Sequence, residues 1–172
     1  MGALLAKENI WYVGTQDPNL RVFDIIMHSD WGTSYNAYLV KGSEKTALFE
    51  TSKLEFFDEF LANVREVCDP ASIDYIVVDH TEPDHSGSLE KLLALAPNAT
   101  VLGSATALNF LKQIVNHEFA CRAVTEKDTV DLGGMTLHFL SVPFLHWPDS
   151  MYTYIPEAKA LFTCDSFGCH YA

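Results

Sequence analysis

The sequence predicts an α/β fold, and three observations carry that prediction. Short β-branched and aromatic runs alternate with stretches whose apolar residues recur at helical spacing, the pattern of a sheet covered by helices. The central run, Ile73-Asp74-Tyr75-Ile76-Val77-Val78, is apolar almost throughout, as a strand buried on both faces must be. Further on, residues 129–142 read as two strands joined at Gly133-Gly134. Those late hairpin strands add antiparallel character, so a simple doubly wound sheet fits poorly.

Residues 10–14 read as a first strand, and residues 36–41 with 46–49 as a hairpin whose link, Lys41-Gly42-Ser43-Glu44-Lys45, has turn chemistry. Between them Asp30-Trp31-Gly32-Thr33-Ser34-Tyr35 reads as a polar and aromatic loop. Leu54, Phe57, Phe60, Leu61, Val64 and Val67 recur at helical spacing, which predicts an amphipathic helix over residues 53–67 with these side chains in the core. Leu89, Leu92, Leu93 and Leu95 predict a second helix stopped by Pro97. Residues 100–103 read as a strand, and Ser104 as the cap of a third helix reaching about residue 115. Residues 160–164 read as a last strand; His117 belongs at the surface and His138 within a sheet.

At 172 residues the chain is long enough for one domain with a sizeable core. Its 23 acidic against 11 basic residues give a formal charge of -12, which argues against nucleic acid or an anionic membrane surface as partner. No apolar run of about 18 residues is present to span a bilayer. The first residues lack the apolar length of a signal peptide. Cys68, Cys121, Cys164 and Cys169 form no Cys-x-x-Cys pair and no disulfide frame, which points to a reducing cytoplasm. They read as small buried residues, although Cys164 and Cys169 flank Asp165.

The chemistry concentrates behind the central strand, in Asp79-His80-Thr81-Glu82-Pro83-Asp84-His85. In an extended segment, residues two apart share a face, so His80 and Glu82 can reach one metal together. Pro83 favours extended geometry at Glu82 and turns the chain afterwards, so Asp84 and His85 face a second direction that suits a second metal. The plainer reading is a charged turn capping a helix that starts near Ser86. Two more candidates stand at strand ends: His146 in Pro143-Phe144-Leu145-His146-Trp147-Pro148-Asp149-Ser150, and Asp165 after the last strand. One carboxylate of such a set can bridge two metals about 3.5–4 Å apart. Three carboxylates with three imidazoles suit iron, manganese or zinc, and composition does not choose among them. Glu50, at the end of the hairpin, reads as a hydrogen-bond acceptor behind the ligands or as a solvated acid.

The motif His80-x-Glu82-x-Asp84-His85, then Leu-His-Trp-Pro-Asp-Ser around His146, then Asp165-Ser166-Phe167-Gly168, resembles the flavodiiron proteins. The resemblance extends over Gly32-Thr33-Ser34-Tyr35-Asn36-Ala37-Tyr38-Leu39 and essentially the whole chain. It implies a metallo-β-lactamase-like αββα sandwich holding two non-haem irons. His80, Glu82 and His146 would hold one iron, Asp84 and His85 the other, with Asp165 bridging. His170 would line the pocket or support the ligands from behind; the plainer reading is a surface His. Hydrolases of that superfamily usually carry His-x-His-x-Asp-His; Glu82 replaces the second His, which favours iron over zinc. The implied activity is reduction of oxygen to water or nitric oxide to nitrous oxide, with electrons arriving through FMN from a donor such as rubredoxin. A head-to-tail homodimer is implied as well, bringing one subunit's FMN beside its partner's irons.

The family also supplies one more His ligand several dozen residues after the bridging Asp, and an FMN-binding flavodoxin domain. Residues 1–172 therefore read as a truncated diiron domain, its N-terminal half or slightly more, without the second half of the sandwich. Many members have Phe-His-Gly where this chain has Phe23-Asp24-Ile25, with His28 nearby but not aligned. Two alternatives remain open: a dinuclear zinc hydrolase of the same superfamily, and a catalytically silent fragment that retains the ligands.

Overall fold

The computed structural model describes residues 2–172. The chain begins with strands β1 (Leu4–Lys7), β2 (Ile10–Tyr12), β3 (Thr15–Asp17), β4 (Val22–Phe23), β5 (Met27–His28), β6 (Thr33–Tyr35), β7 (Tyr38–Lys41) and β8 (Thr46–Phe49). Helix α1 (Phe57–Val67), β9 (Tyr75–Val78), α2 (Pro83–Ser86), α3 (Leu89–Leu93), β10 (Thr100–Gly103) and α4 (Ala105–Ile114) follow. The remainder is all strand: β11 (Cys121–Ala123), β12 (Thr129–Asp131), β13 (Thr136–Ser141), β14 (Met151–Ile155) and β15 (Ala160–Phe162).

Two sheets face each other. The larger has the order β1-β2-β7-β8-β9-β10-β11, antiparallel up to β8 and parallel from β8 onward. The smaller is the antiparallel meander β12-β13-β14-β15. Period-2 alternation sorts the side chains of the large sheet. Leu39, Leu48, Ile76, Val78 and Val101 point to the helices, where they meet Phe57, Phe60, Val64, Leu92 and Leu111. Val40, Ala47, Phe49, Val77 and Leu102 point the other way, onto Leu132 of the β12–β13 turn and Leu137, Phe139, Met151 and Ile155 of the small sheet. Both faces of the central strands are therefore dry, which is why their sequence is an unbroken apolar run. A side chain such as Phe60, with no exposed surface, contributes roughly 1.5–3 kcal/mol by its burial.

The two sheets are also joined by backbone at one corner. Ser43 N–H donates to Gly133 O (2.8 Å), and Glu44 and Lys45 N–H both donate to Leu132 O (3.1 and 3.0 Å). Turn β7–β8 can approach turn β12–β13 this closely because residue 42 is glycine: a Cβ there would collide with the Leu132 carbonyl.

Several expectations need correction. A four-stranded second sheet is present, so the second half of the sandwich is not wholly lacking; no helix follows Ile114 among the described residues. Residues 30–35 are not all loop, because Thr33 and Tyr35 turn inward and β6 pairs with β3. Leu54 is 49% exposed rather than core, since a 3-10 turn over Leu54–Phe56 precedes α1 and rotates it out of the helical register. Helix α3 ends at Leu93, before Pro97, and the last strand ends at Phe162. Cys169 is exposed and the other three cysteines are only half-buried. Among the described residues no helix is long and apolar enough to cross a membrane.

Candidate metal centre

Strand β9 delivers the chain to the site. Asp79 stays bound to the sheet frame: its N–H donates to Glu50 Oε1 (2.8 Å), its carbonyl accepts from Met151 N–H (3.0 Å), and its carboxyl accepts from Thr153 Oγ1 (2.9 Å). His80, Thr81 and Glu82 continue outward, and Pro83 then opens the one-turn helix α2, where a missing N–H costs nothing. The turn therefore starts at Pro83 rather than near Ser86. Ser86 Oγ donates back to Thr81 O (2.7 Å), and His85 O accepts from both Thr51 N–H and Thr51 Oγ1 (2.7 Å each). The loop is thus pinned at both ends before its side chains do anything.

Those side chains converge in two groups whose donor atoms lie within 4.8 Å of one another: His80, Glu82, His146 and Asp165 in one, Asp84, His85 and Asp165 in the other. In the first, Glu82 Oε2 is 3.1 Å from His80 Nε2 and 3.3 Å from His146 Nε2. Asp165 Oδ2 is 3.6 and 3.4 Å from the same two nitrogens. In the second, His85 Nε2 is 2.8 Å from Asp165 Oδ1 and 3.6 Å from Asp84 Oδ2. Asp165 thus turns one oxygen to each group, the disposition a bridging carboxylate has. All six sequence candidates are brought together. The donor set fits two divalent cations: imidazoles and carboxylates in mixed coordination, and Asp84 Oδ1 buried with no hydrogen-bond partner.

Electrostatics within the cluster follow from these contacts. Burial pulls the His80 imidazolium pKa down, but Asp149 and Glu82 on its two ring nitrogens outweigh it and leave the value at about 9. His80 heads the contacts that lower Glu82. Burial opposes ionisation of Asp165, yet the imidazoles of His85, His80 and His146 hold it below the usual carboxylate range. Glu50 and Asp79 are driven well upward by burial, and Asp84 is raised by burial too.

Glu50 is buried behind His85, but its Oε2 lies 3.8 Å from His85 Nδ1, beyond hydrogen-bond reach. His170 is half-buried at the mouth, with Nδ1 3.0 Å from Thr33 Oγ1 and its ring 4.5 Å from that of Phe23. Both line or border the donor cluster without joining either group. His28 is exposed on β5, and no cysteine belongs to either group.

Two acidic residues outside both donor groups also bear on the site. Asp24, at the tip of the β4–β5 hairpin, faces the same cavity as Glu82, and burial followed by the Glu82 charge raises its pKa. Asp149 lies wholly buried behind His80. Neither carries a local signal, since the contacts bind residues far apart in the chain. The backbone does mark the region: Asp24, Ile25, Glu50, Phe144, His146, Cys164 and Phe167 all have positive φ without being glycine, and such conformations persist where surroundings enforce them. A cavity of about 270 Å³ opens over Glu82, Asp84, His146 and Asp165, with Phe23, Asp24 and His170 in its wall.

The β-lactamase-like layering and this paired donor set define the class. The chain belongs to the ODP family of beta lactamases, whose family model matches residues 33–172. Within that class it is similar to flavodiiron proteins. It is 51% identical over 173 residues to the flavo-diiron protein FprA2 of Clostridium acetobutylicum, a match covering 99% of this chain and 43% of that protein. To the type A flavoprotein fprA of Rhodobacter capsulatus it is 40% identical, over 99% of this chain and 40% of that one. The solved flavodiiron protein from Giardia intestinalis superposes with a TM-score of 0.95 at 35% identity, covering 100% of this chain and 42% of that chain. Rubredoxin oxygen:oxidoreductase from Desulfovibrio gigas gives 0.94 at 35% identity, over 99% and 42%. The chain spans about two fifths of the length of these relatives.

Proposed function

We propose that residues 1–172 form the diiron-binding part of a flavodiiron oxidoreductase. His80, Glu82 and His146 hold one non-haem iron, Asp84 and His85 hold the other, and Asp165 bridges them. The observation that carries this reading is the split of Asp165, Oδ2 toward one donor group and Oδ1 toward the other. Bound iron supplies electrons and Lewis-acid stabilisation of developing negative charge. The chain's own residues supply the frame: three carboxylates offset the charge of two divalent ions, and the buried backs of His80 and His85 keep bulk water on one side only.

The assembled protein reduces oxygen to water, consuming four electrons and four protons, or two nitric oxides to nitrous oxide and water, consuming two of each. Electrons come through FMN, carried on a flavodoxin domain outside these residues, from a donor such as rubredoxin. Chain neighbours of the cavity-lining residues suit a covering partner: Ile25, Phe144 and Phe167 are 93%, 77% and 91% exposed. A head-to-tail homodimer that seats the partner's flavin domain over the cavity would bury such side chains. Glu82, standing where hydrolases of the superfamily usually carry a second His, favours iron over zinc. The test is metal analysis and oxygen or nitric oxide consumption by intact protein isolated anaerobically. Two irons per chain with reductase activity are expected; stoichiometric zinc with hydrolytic activity after growth in iron-rich medium overturns the reading.

A further inference from the structure

We infer that Asp149 is a positioning residue for the first metal position: its carboxylate fixes the His80 ring so that Nε2, not Nδ1, faces the metal. The inference rests on the metal-binding reading above and adds to it the residue that decides which nitrogen is offered.

His80 has no exposed surface, and either ring nitrogen could in principle face Glu82. Asp149 breaks that tie. Its Oδ2 lies 3.2 Å from His80 Nδ1 and accepts from Thr81 N–H and Thr81 Oγ1, both at 2.8 Å. A carboxylate only accepts, so Nδ1 carries the proton, and the Nε2 lone pair is left for the metal between Glu82 and Asp165. An anionic acceptor at this place also makes the imidazole a stronger donor to the metal. Asp149 is itself immobilised: it is wholly buried, and its carbonyl accepts from Ser104 Oγ (2.9 Å), the side chain that caps α4 by accepting from Ala107 N–H (3.0 Å). The Trp147 ring meets His80 edge-on at 5.1 Å. One short segment therefore supplies a ligand in His146 and holds a second ligand, His80, from two sides. His85 has no equivalent, because the 3.8 Å gap to Glu50 is not a hydrogen bond.

Asp149→Asn separates charge from shape. The amide oxygen can still accept at the Oδ2 position, while its NH2 takes the place of Oδ1, which has no partner. In the intact protein, Asp149→Asn is expected to weaken the first metal position about 10–100-fold in competition with a chelator, and to leave the second unchanged. Asp149→Ala weakens the first position further. Should Asp149→Ala fail to fold, Thr81→Val removes one donor to Oδ2 and moves affinity the same way by a smaller amount, with Thr81→Ser restoring it. Zinc-substituted protein gives a second readout. The wild type is expected to show a downfield, slowly exchanging proton on His80 Nδ1 and zinc on Nε2; the proton resonance disappears in Asp149→Ala. Unchanged first-position affinity across the Asp149 variants, equal loss at both positions, or zinc on His80 Nδ1 overturns the assignment alone. A wild type that takes up no metal overturns this inference and the metal reading together.

Discussion

The two donor groups share Asp165 and differ in almost everything else. The first draws His80, Glu82 and His146 from two distant segments, and Asp149 braces one of its imidazoles. The second relies on Asp84 and His85, adjacent residues of a single helical turn, with Glu50 behind His85 but out of bonding range. A position assembled by the tertiary fold is rigid because sheet, loop and helix α4 over-determine it. In the second, Thr51 pins the backbone of the turn, but His85 Nδ1 and Asp84 Oδ1 have no hydrogen-bond partner to brace the side chains. The first should therefore hold metal more tightly, and variants can break or sharpen that contrast.

Asp165→Ala has the largest effect. Removing a carboxylate that faces both groups should cost both positions metal, by more than the roughly 10–100-fold typical of an outer partner. Metal analysis after gel filtration checks it; loss at one position only would show that Asp165 is not shared. Glu82→Ala comes next, emptying the first position while the second keeps its metal, since Glu82 lies within hydrogen-bond range of His80 and His146 and belongs to the first donor group alone. Gly42→Ala tests the frame without touching the site. The added methyl meets the Leu132 carbonyl where the two sheets join, at a cost of about 1–3 kcal/mol for overpacking. Thermal unfolding should fall by several degrees with the metal ratio of the two positions unaltered. A shift in that ratio would mean that sheet spacing, not local support, sets the contrast. The smallest effect belongs to Asp24→Asn, which removes one negative charge beside Glu82. The first position should weaken by no more than about 1 kcal/mol, and less at high salt, because Asp24 is mostly solvated. Metal titration at two ionic strengths measures it.

What could be read from the sequence divides along the same line. The loop from His80 to His85 was legible because its logic is local: a buried strand, period-2 geometry and a proline. The hairpin β7–β8, the cap at Ser104 and the Gly133-Gly134 turn were legible for the same reason. Asp149 was not, because it sits 69 positions from the ring it braces, and a buried acid after a proline looks like a turn residue. Asp24 was visible only as a departure from Phe-His-Gly, with nothing to say that its hairpin would reach Glu82. The exposure of Leu54 and the pairing of β6 with β3 came from tertiary context: a 3-10 turn shifted one register, and Thr15–Asp17 offered the other a partner. The small sheet was underestimated because its strand β14, Met-Tyr-Thr-Tyr-Ile, follows directly on the proline-bounded loop that drew attention as a ligand segment.

The central claim is a pair of metal positions joined by one carboxylate, and stepwise anaerobic titration of the metal-free intact protein with ferrous iron, followed by Mössbauer spectroscopy, tests it most directly. The account predicts two irons per chain taken up in two distinguishable steps, with the second step changing the signal of the first because Asp165 joins them. Uptake of a single iron, or of two whose spectra are independent of each other, would contradict it.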